Sequence, residues 1–191
     1  STGLYSFVKQ DGTAAFPASF AAAGAFSDGL ALVRSADSGY LVLDTEGKTV
    51  AALEAGADPA YYTVYGGDTV VMTNGTNYAL YSISKGAYLT DFLYNVVSEF
   101  HDGAAMVRQI NRWGIIDTKA KLLTNPTYYY LSYMGEGLYA ARSEDGSVAA
   151  VDASGNIAYR TLTYIGGFNE LRYGLSWHGM ADGSLIFFKK N

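Results

Sequence analysis

The chain has 191 residues, about half of them apolar and 16% charged, enough for a substantial core and too apolar to remain disordered. Its net charge of −5, with 13 scattered basic residues, speaks against a nucleic-acid partner, because phosphate binding rests on clustered Lys and Arg. With no Cys there is no disulfide, thiolate nucleophile or Cys-ligated metal. No apolar run nears the roughly 18 residues that cross a membrane as a helix, and Ser1-Thr2-Gly3 opens without a basic, apolar leader.

In chain order, short apolar stretches alternate with turn formers. Tyr5 to Lys9 is followed by Asp11-Gly12 and a short segment from Thr13, then a connection ending at Phe26. Next come Phe26-Ser27-Asp28-Gly29-Leu30-Ala31-Leu32-Val33-Arg34, then Tyr40-Leu41-Val42-Leu43-Asp44, then a turn at Glu46-Gly47. A looser copy runs from Tyr65 to Thr73, with Asp68 at the Gly position, into Tyr78-Ala79-Leu80-Tyr81-Ser82 and Lys85-Gly86. Closer copies are Phe100 to Arg108 with Trp113-Gly114-Ile115-Ile116-Asp117, and Met134 to Arg142 with Val148-Ala149-Ala150-Val151-Asp152 and Ser154-Gly155. Leu171 to Gly179 and Leu185 to Lys189 close the series.

The second stretches end at residues 9, 44, 82, 117, 152 and 189, a spacing of roughly 35 to 38 that marks a repeat architecture. Runs of four to six residues rich in Val, Ile, Leu, Tyr and Phe predict strands. Each unit therefore has three antiparallel strands, a, b and c, plus a connection. Gly in the b–c turn supplies the positive φ of a tight hairpin; Ala120 stands in its place once, which predicts a different turn there.

The pattern resembles the bacterial WG-repeat family, whose consensus runs Trp-Gly-Tyr-Ile-Asp, a turn Gly, a short apolar strand and Phe-Ser-Glu-Gly-Leu-Ala. Trp113-Gly114-Ile115-Ile116-Asp117 carries the namesake pair, while Tyr5, Tyr40 and Tyr78 replace the Trp and Val148 and Leu185 are degenerate. The resemblance covers nearly the whole chain and implies a repeat fold without assigning an activity.

Both faces of the strands are apolar: Leu30 and Leu32 oppose Ala31 and Val33, and Tyr40 and Val42 oppose Leu41 and Leu43. A sheet with one wet face would alternate with polar residues. Small sheets stacked on one another bury both faces. The expected fold is all-β, a single domain over 1–191 of about five repeats. A five-bladed propeller-like ring is favoured, with the N-terminal strands completing the last unit, over an open β-solenoid or hairpin superhelix.

The chemistry-bearing residues are few. His101 and His178 are the only histidines, and no nucleophile elbow accompanies them; the reading is no catalytic residue, no metal and no cofactor. Asp28, Asp102 and Glu136 before strand a, and Asp44, Asp117 and Asp152 after strand b, recur by repeat position. Recurrence suits turn hydrogen bonds, or pairing with Arg34, Arg108 and Arg142, better than one active site. A glycoside-active carboxylate pair is the second functional reading and a structural spacer the third.

The excess of Tyr, 17 residues, points instead to recognition, since the ring joins a flat apolar face to a polar tip. The ligand-binding candidates are Tyr61, Tyr62, Tyr128, Tyr129, Tyr130, Tyr133 and Trp177. Consecutive tyrosines cannot all face one core, so some of 128–130 should expose a ring. The expectation is a non-catalytic module binding a protein or glycan at the bacterial cell surface, without nucleic acid or membrane insertion.

Overall fold

The computed structural model describes residues 3–36, 39–53, 58–161, 175–179 and 185–189, with side chains through residue 158. The chain is all-β, and its contacts divide it into two compact units, Ser1–Leu93 and Tyr94–Asn191. The first unit holds β1 (Ala22–Ala23), β2 (Leu30–Ser35), β3 (Gly39–Asp44), β4 (Thr49–Ala52), β5 (Asp58–Pro59), β6 (Thr69–Thr73), β7 (Tyr78–Ser82) and β8 (Ala87–Tyr88). The second holds β9 (Val96–Val97), β10 (Ala104–Gln109), β11 (Arg112–Asp117), β12 (Leu122–Tyr128), β13 (Tyr130–Gly135), β14 (Leu138–Arg142), β15 (Val148–Asp152) and β16 (Ile157–Thr161), then β17 (Leu175–Gly179) and β18 (Leu185–Lys189).

These strands form four antiparallel meanders, β1-β2-β3-β4, β5-β6-β7-β8, β9-β10-β11-β12 and β13-β14-β15-β16, and the pair β17-β18. In the four meanders the a, b and c strands are thus joined by a fourth, drawn from the connecting stretch. Each sheet has the up-and-down order of a propeller blade. In the N-terminal stretch, Tyr5 bridges to Phe20 and Val8 to Ala14, and in the last unit β17 pairs with β18.

Stacking buries both faces of the β1–β4 sheet in the first unit and joins the two four-stranded sheets of the second. In the first, Leu32 and Val42 of one sheet pack with Val70, Met72 and Tyr81 of the next. Val33 and Leu43, on the opposite face, pack against Phe16 and Phe20 of the N-terminal segment. In the second, Ala104 and Ile115 meet Leu131, Tyr139, Ala141, Ala149 and Val151. Burial contributes about 1.5–3 kcal/mol for each Leu, Ile or Val, so a sheet stripped of its neighbour would lose most of its stability.

Turns at the two ends of the sheets differ in kind. At the start of strand a, Asp28-Gly29, Asp102-Gly103 and Glu136-Gly137 all have positive φ, with Asp28 at 50° and Asp102 at 51°. Two residues of left-handed backbone make the tight hairpin turn that matches strand twist. After strand b, an Asp carboxylate pins the b–c turn: Asp44 accepts the N–H groups of Glu46 and Lys48, and Asp152 those of Ser154 and Asn156.

Ala120 forms this same turn rather than a different one. Asp117 accepts the N–H groups of Lys119 and Lys121 at 2.9 and 2.8 Å, and the Ala120 N–H reaches the Asp117 carbonyl. The carboxylate fixes the loop, so Ala120 is held at a φ of 64° despite its Cβ.

Candidate functional site

The register of the second unit sorts its aromatic residues between two ends. Arg108 pairs with Trp113, Trp113 with Tyr128, and Tyr130 with Arg142, all near the tips of the a–b hairpins. Tyr133 pairs with Tyr139 toward the other end. Tyr128, Tyr129 and Tyr130 therefore come together, and Tyr133 is separated from them. Tyr61 and Tyr62 belong to the first unit, and the side chain of Trp177 lies outside the described residues.

At the tip end, the Arg112 guanidinium lies 3.6 Å from the centre of the Tyr129 ring. It also forms an ion pair of 3.6 Å with Glu144, whose side chain is 79% exposed. The Tyr129 hydroxyl donates to Glu144 at 3.4 Å, closing the three groups into one cluster. Tyr129 is 40% exposed and Tyr130 48%, while Tyr128 packs with Trp113 onto the core. Two clefts flank the cluster. One of about 350 Å³ is lined by Tyr129, Arg142, Ser143, Glu144 and Gly146, the other of about 570 Å³ by Gln109, Ile110, Asn111, Arg112 and Pro126.

The namesake Gly sits beneath this end for a steric reason. Between Trp113 and Ile115, strand β12 bulges, advancing from Tyr128 to Thr124. A Cβ on Gly114 would stand 2.5 Å from the Thr124 carbonyl oxygen and 2.8 Å from the Pro126 nitrogen. The bulge brings Pro126 to the cleft and Tyr128 opposite Trp113, which is how a structural glycine shapes the surface.

The recurring arginines cover aromatic rings. Arg34 lies 5.7 Å from the Tyr40 ring centre and Arg108 5.8 Å from that of Trp113, cross-strand cation–π pairs at the same repeat position. Of the recurring acids, Asp44, Asp117 and Asp152 accept turn N–H groups, whereas Asp102, before strand a, accepts the Tyr133 hydroxyl.

The opposite end holds a constellation that does not recur. His101 stacks on Tyr133 with centroids 4.6 Å apart and planes 8° from parallel, and the Tyr133 hydroxyl donates to Asp102 at 2.5 Å. Burial first, and then this hydrogen bond, hold the Tyr133 hydroxyl above its ordinary pKa, so it stays a proton donor to Asp102. Tyr139 abuts it edge-on at 5.4 Å, where Ala31, Val70 and Ala105 stand in the other sheets. The buried Tyr139 hydroxyl has no hydrogen-bond partner among the described residues. Tyr133 packs onto the core shared by the two four-stranded sheets of the second unit.

Arg112, Glu144 and Ile110 were not anticipated from sequence. The signal was present in the tips: residues 74–76 read Asn-Gly-Thr and 144–146 Glu-Asp-Gly, whereas the two-residue tip 110–111 is Ile-Asn.

The chain is similar in part to several solved structures. They include Kluyveromyces lactis Hsv2 (12% identity, 87% of this chain, 61% of that one, TM-score 0.47) and BamB from Moraxella catarrhalis (17%, 93%, 62%, 0.39). A third is the computationally designed protein Ika8 (13%, 87%, 57%, 0.45). The chain spans about three fifths of the length of each. No curated protein matches the sequence. The family described as WG containing repeat matches residues 5–37 and 113–146, the second match holding Trp113-Gly114, Arg142 and Glu144. Two stretches of this β protein, residues 5–37 and 113–146, are thus similar to the WG containing repeat.

Proposed function

We propose that the chain is a non-catalytic binding module whose recognition surface is the a–b hairpin-tip end of the second unit. The observation that carries this is the pair of exposed rings, Tyr129 and Tyr130, set between two clefts with Arg112 locked against the first. Tyr and Arg are the side chains that concentrate binding energy at interfaces, and Arg112 is already ordered before a ligand arrives, which lowers the entropy lost on binding.

The non-catalytic reading is supported by where the carboxylates go. A glycosidase needs two of them facing each other across a cleft. Asp44, Asp117 and Asp152 are occupied by turn N–H groups, and Asp102 by Tyr133. The Cys-free, Tyr- and Gly-rich composition supports a bacterial cell envelope as the compartment, which cell fractionation would test.

The surface is tested by probing a glycan array and a displayed random-peptide library with the wild type and with Arg112→Ala/Tyr130→Ser. Ligands bound by the wild type should lose at least about tenfold in affinity with the double variant. Ligands that bind both proteins equally, or the absence of any ligand on either platform, contradict the proposal.

A further inference from the structure

We infer that Ile110 anchors an acidic, extended segment of a protein partner, and that Arg112 takes a partner carboxylate in place of Glu144. The inference rests on the recognition surface proposed above and names what that surface binds.

Ile110 is the residue the fold explains least. It is 76% exposed at the tip of the β10–β11 hairpin, with a φ of 56°. Left-handed backbone is a true outlier for a β-branched residue, and strain of this kind persists only where the surroundings hold it. A two-residue turn of this kind favours Gly at its first position. The surroundings enforce the conformation: the Arg108 Nε donates to the Ile110 carbonyl at 3.2 Å, and an Arg112 guanidinium nitrogen to the Asn111 carbonyl at 3.4 Å. The side chain is largely exposed and projects from a turn whose sibling tips at residues 74–76 and 144–146 are polar. Strain held at an exposed apolar residue beside a cleft is what a binding anchor requires.

The charge distribution selects the partner. In a chain of net charge −5, the three arginines of the second unit whose side chains are described, Arg108, Arg112 and Arg142, all lie at this end, together with the acids Glu144 and Asp145. The other end carries Asp102, Asp117, Glu136 and Asp152 with Lys119 and Lys121. Arg108 is committed to Trp113 and the turn carbonyl. Arg112 is held over the Tyr129 ring, and its ion pair with Glu144 is long, with the glutamate side chain exposed and therefore weakly bound. A partner carboxylate that desolvates the guanidinium on docking gains a stronger, charge-assisted bond. An aliphatic anchor beside a cation selects a peptide with apolar and acidic side chains over a glycan, which has no apolar side chain to offer Ile110.

The probe is a displayed library of random linear peptides, selected on the wild type, with enriched peptides titrated against Ile110→Gly and Arg112→Glu. The inference expects peptides combining Asp or Glu with an apolar residue, weakening as salt rises. It expects at least a tenfold affinity loss, roughly, with each variant. Ile110→Gly should raise the thermal midpoint while it lowers affinity, so loss of binding cannot be attributed to unfolding. Enrichment of neutral or basic peptides, equal binding by both variants, or no enrichment at all overturns it. Glycans that bind through Tyr130 with no peptide enriched overturn it too, yet leave the recognition surface standing.

Discussion

The Asp68 carboxylate accepts the Ser82 hydroxyl at 2.6 Å and the Ser84 N–H at 2.6 Å. Ser82 occupies the ladder position that Asp44, Asp117 and Asp152 hold in the other sheets. The second repeat has lost the Asp that pins its b–c turn, and Asp68, from the loop before strand a, supplies a carboxylate from across the ladder. Burial raises the Asp68 pKa, but the bonds from Ser82 and Ser84 and the nearby Lys85 charge outweigh it and leave it lowered.

Asp68→Ala should therefore destabilise the protein by about 1–2 kcal/mol in urea unfolding, the loss of charge-assisted hydrogen bonds to a fully buried Ser82. Because the folded pKa is depressed, the stabilisation is present above the unfolded value near 3.8 and disappears as pH falls through the lower folded value. The thermal midpoints of wild type and Asp68→Asn should differ at neutral pH and converge in acid. A difference that persists in strong acid would assign the effect to packing.

Ala120→Gly should stabilise the protein by about 0.5–1 kcal/mol, since the Asp117 turn holds residue 120 in backbone that Gly adopts freely. The reverse change at the equivalent turn, Gly47→Ala, should be far more damaging, because its Cβ would lie 2.5 Å from the Phe16 ring. Urea midpoints of the two variants should move in opposite directions.

Gly114→Ala should destabilise by about 2–3 kcal/mol as the new methyl group pushes against the β12 backbone. It should also disturb the cleft beside Pro126. A circular-dichroism melt unchanged from wild type would show that the bulge yields without strain.

Tyr139→Phe should be neutral or stabilising by about 1 kcal/mol, because the hydroxyl it removes is buried without a partner. Tyr133→Phe should destabilise, since Asp102 then loses its donor. Thermal melts that rank the two variants the other way would mean that Tyr139 is the better satisfied of the pair.

Much of this architecture is legible in the sequence, because period and alternation are local properties. The two-faced apolar strands led directly to stacked sheets, and Leu32 and Val33 do pack on opposite neighbours. The fourth strand escaped notice because segments such as Ala22–Ala23 and Val96–Val97 are too short to show a period. The Ala120 turn departs from the expectation based on Gly because the Asp117 carboxylate sets its geometry. Clustered tyrosines drew attention to Tyr129 and Tyr130, but Ile110 and Arg112 become conspicuous only once the hairpin register places them beside a cleft. The separation of Tyr133 from Tyr130 likewise follows from strand pairing, which residue counting cannot supply.

Chemical-shift mapping of the second unit during titration with a selected ligand tests the central claim most directly. Perturbations should gather on residues 109–112, Tyr129, Tyr130 and Arg142, at the hairpin-tip end. Perturbations centred on the turns at residues 117–121 and 152–156 would place recognition at the opposite end and contradict the account.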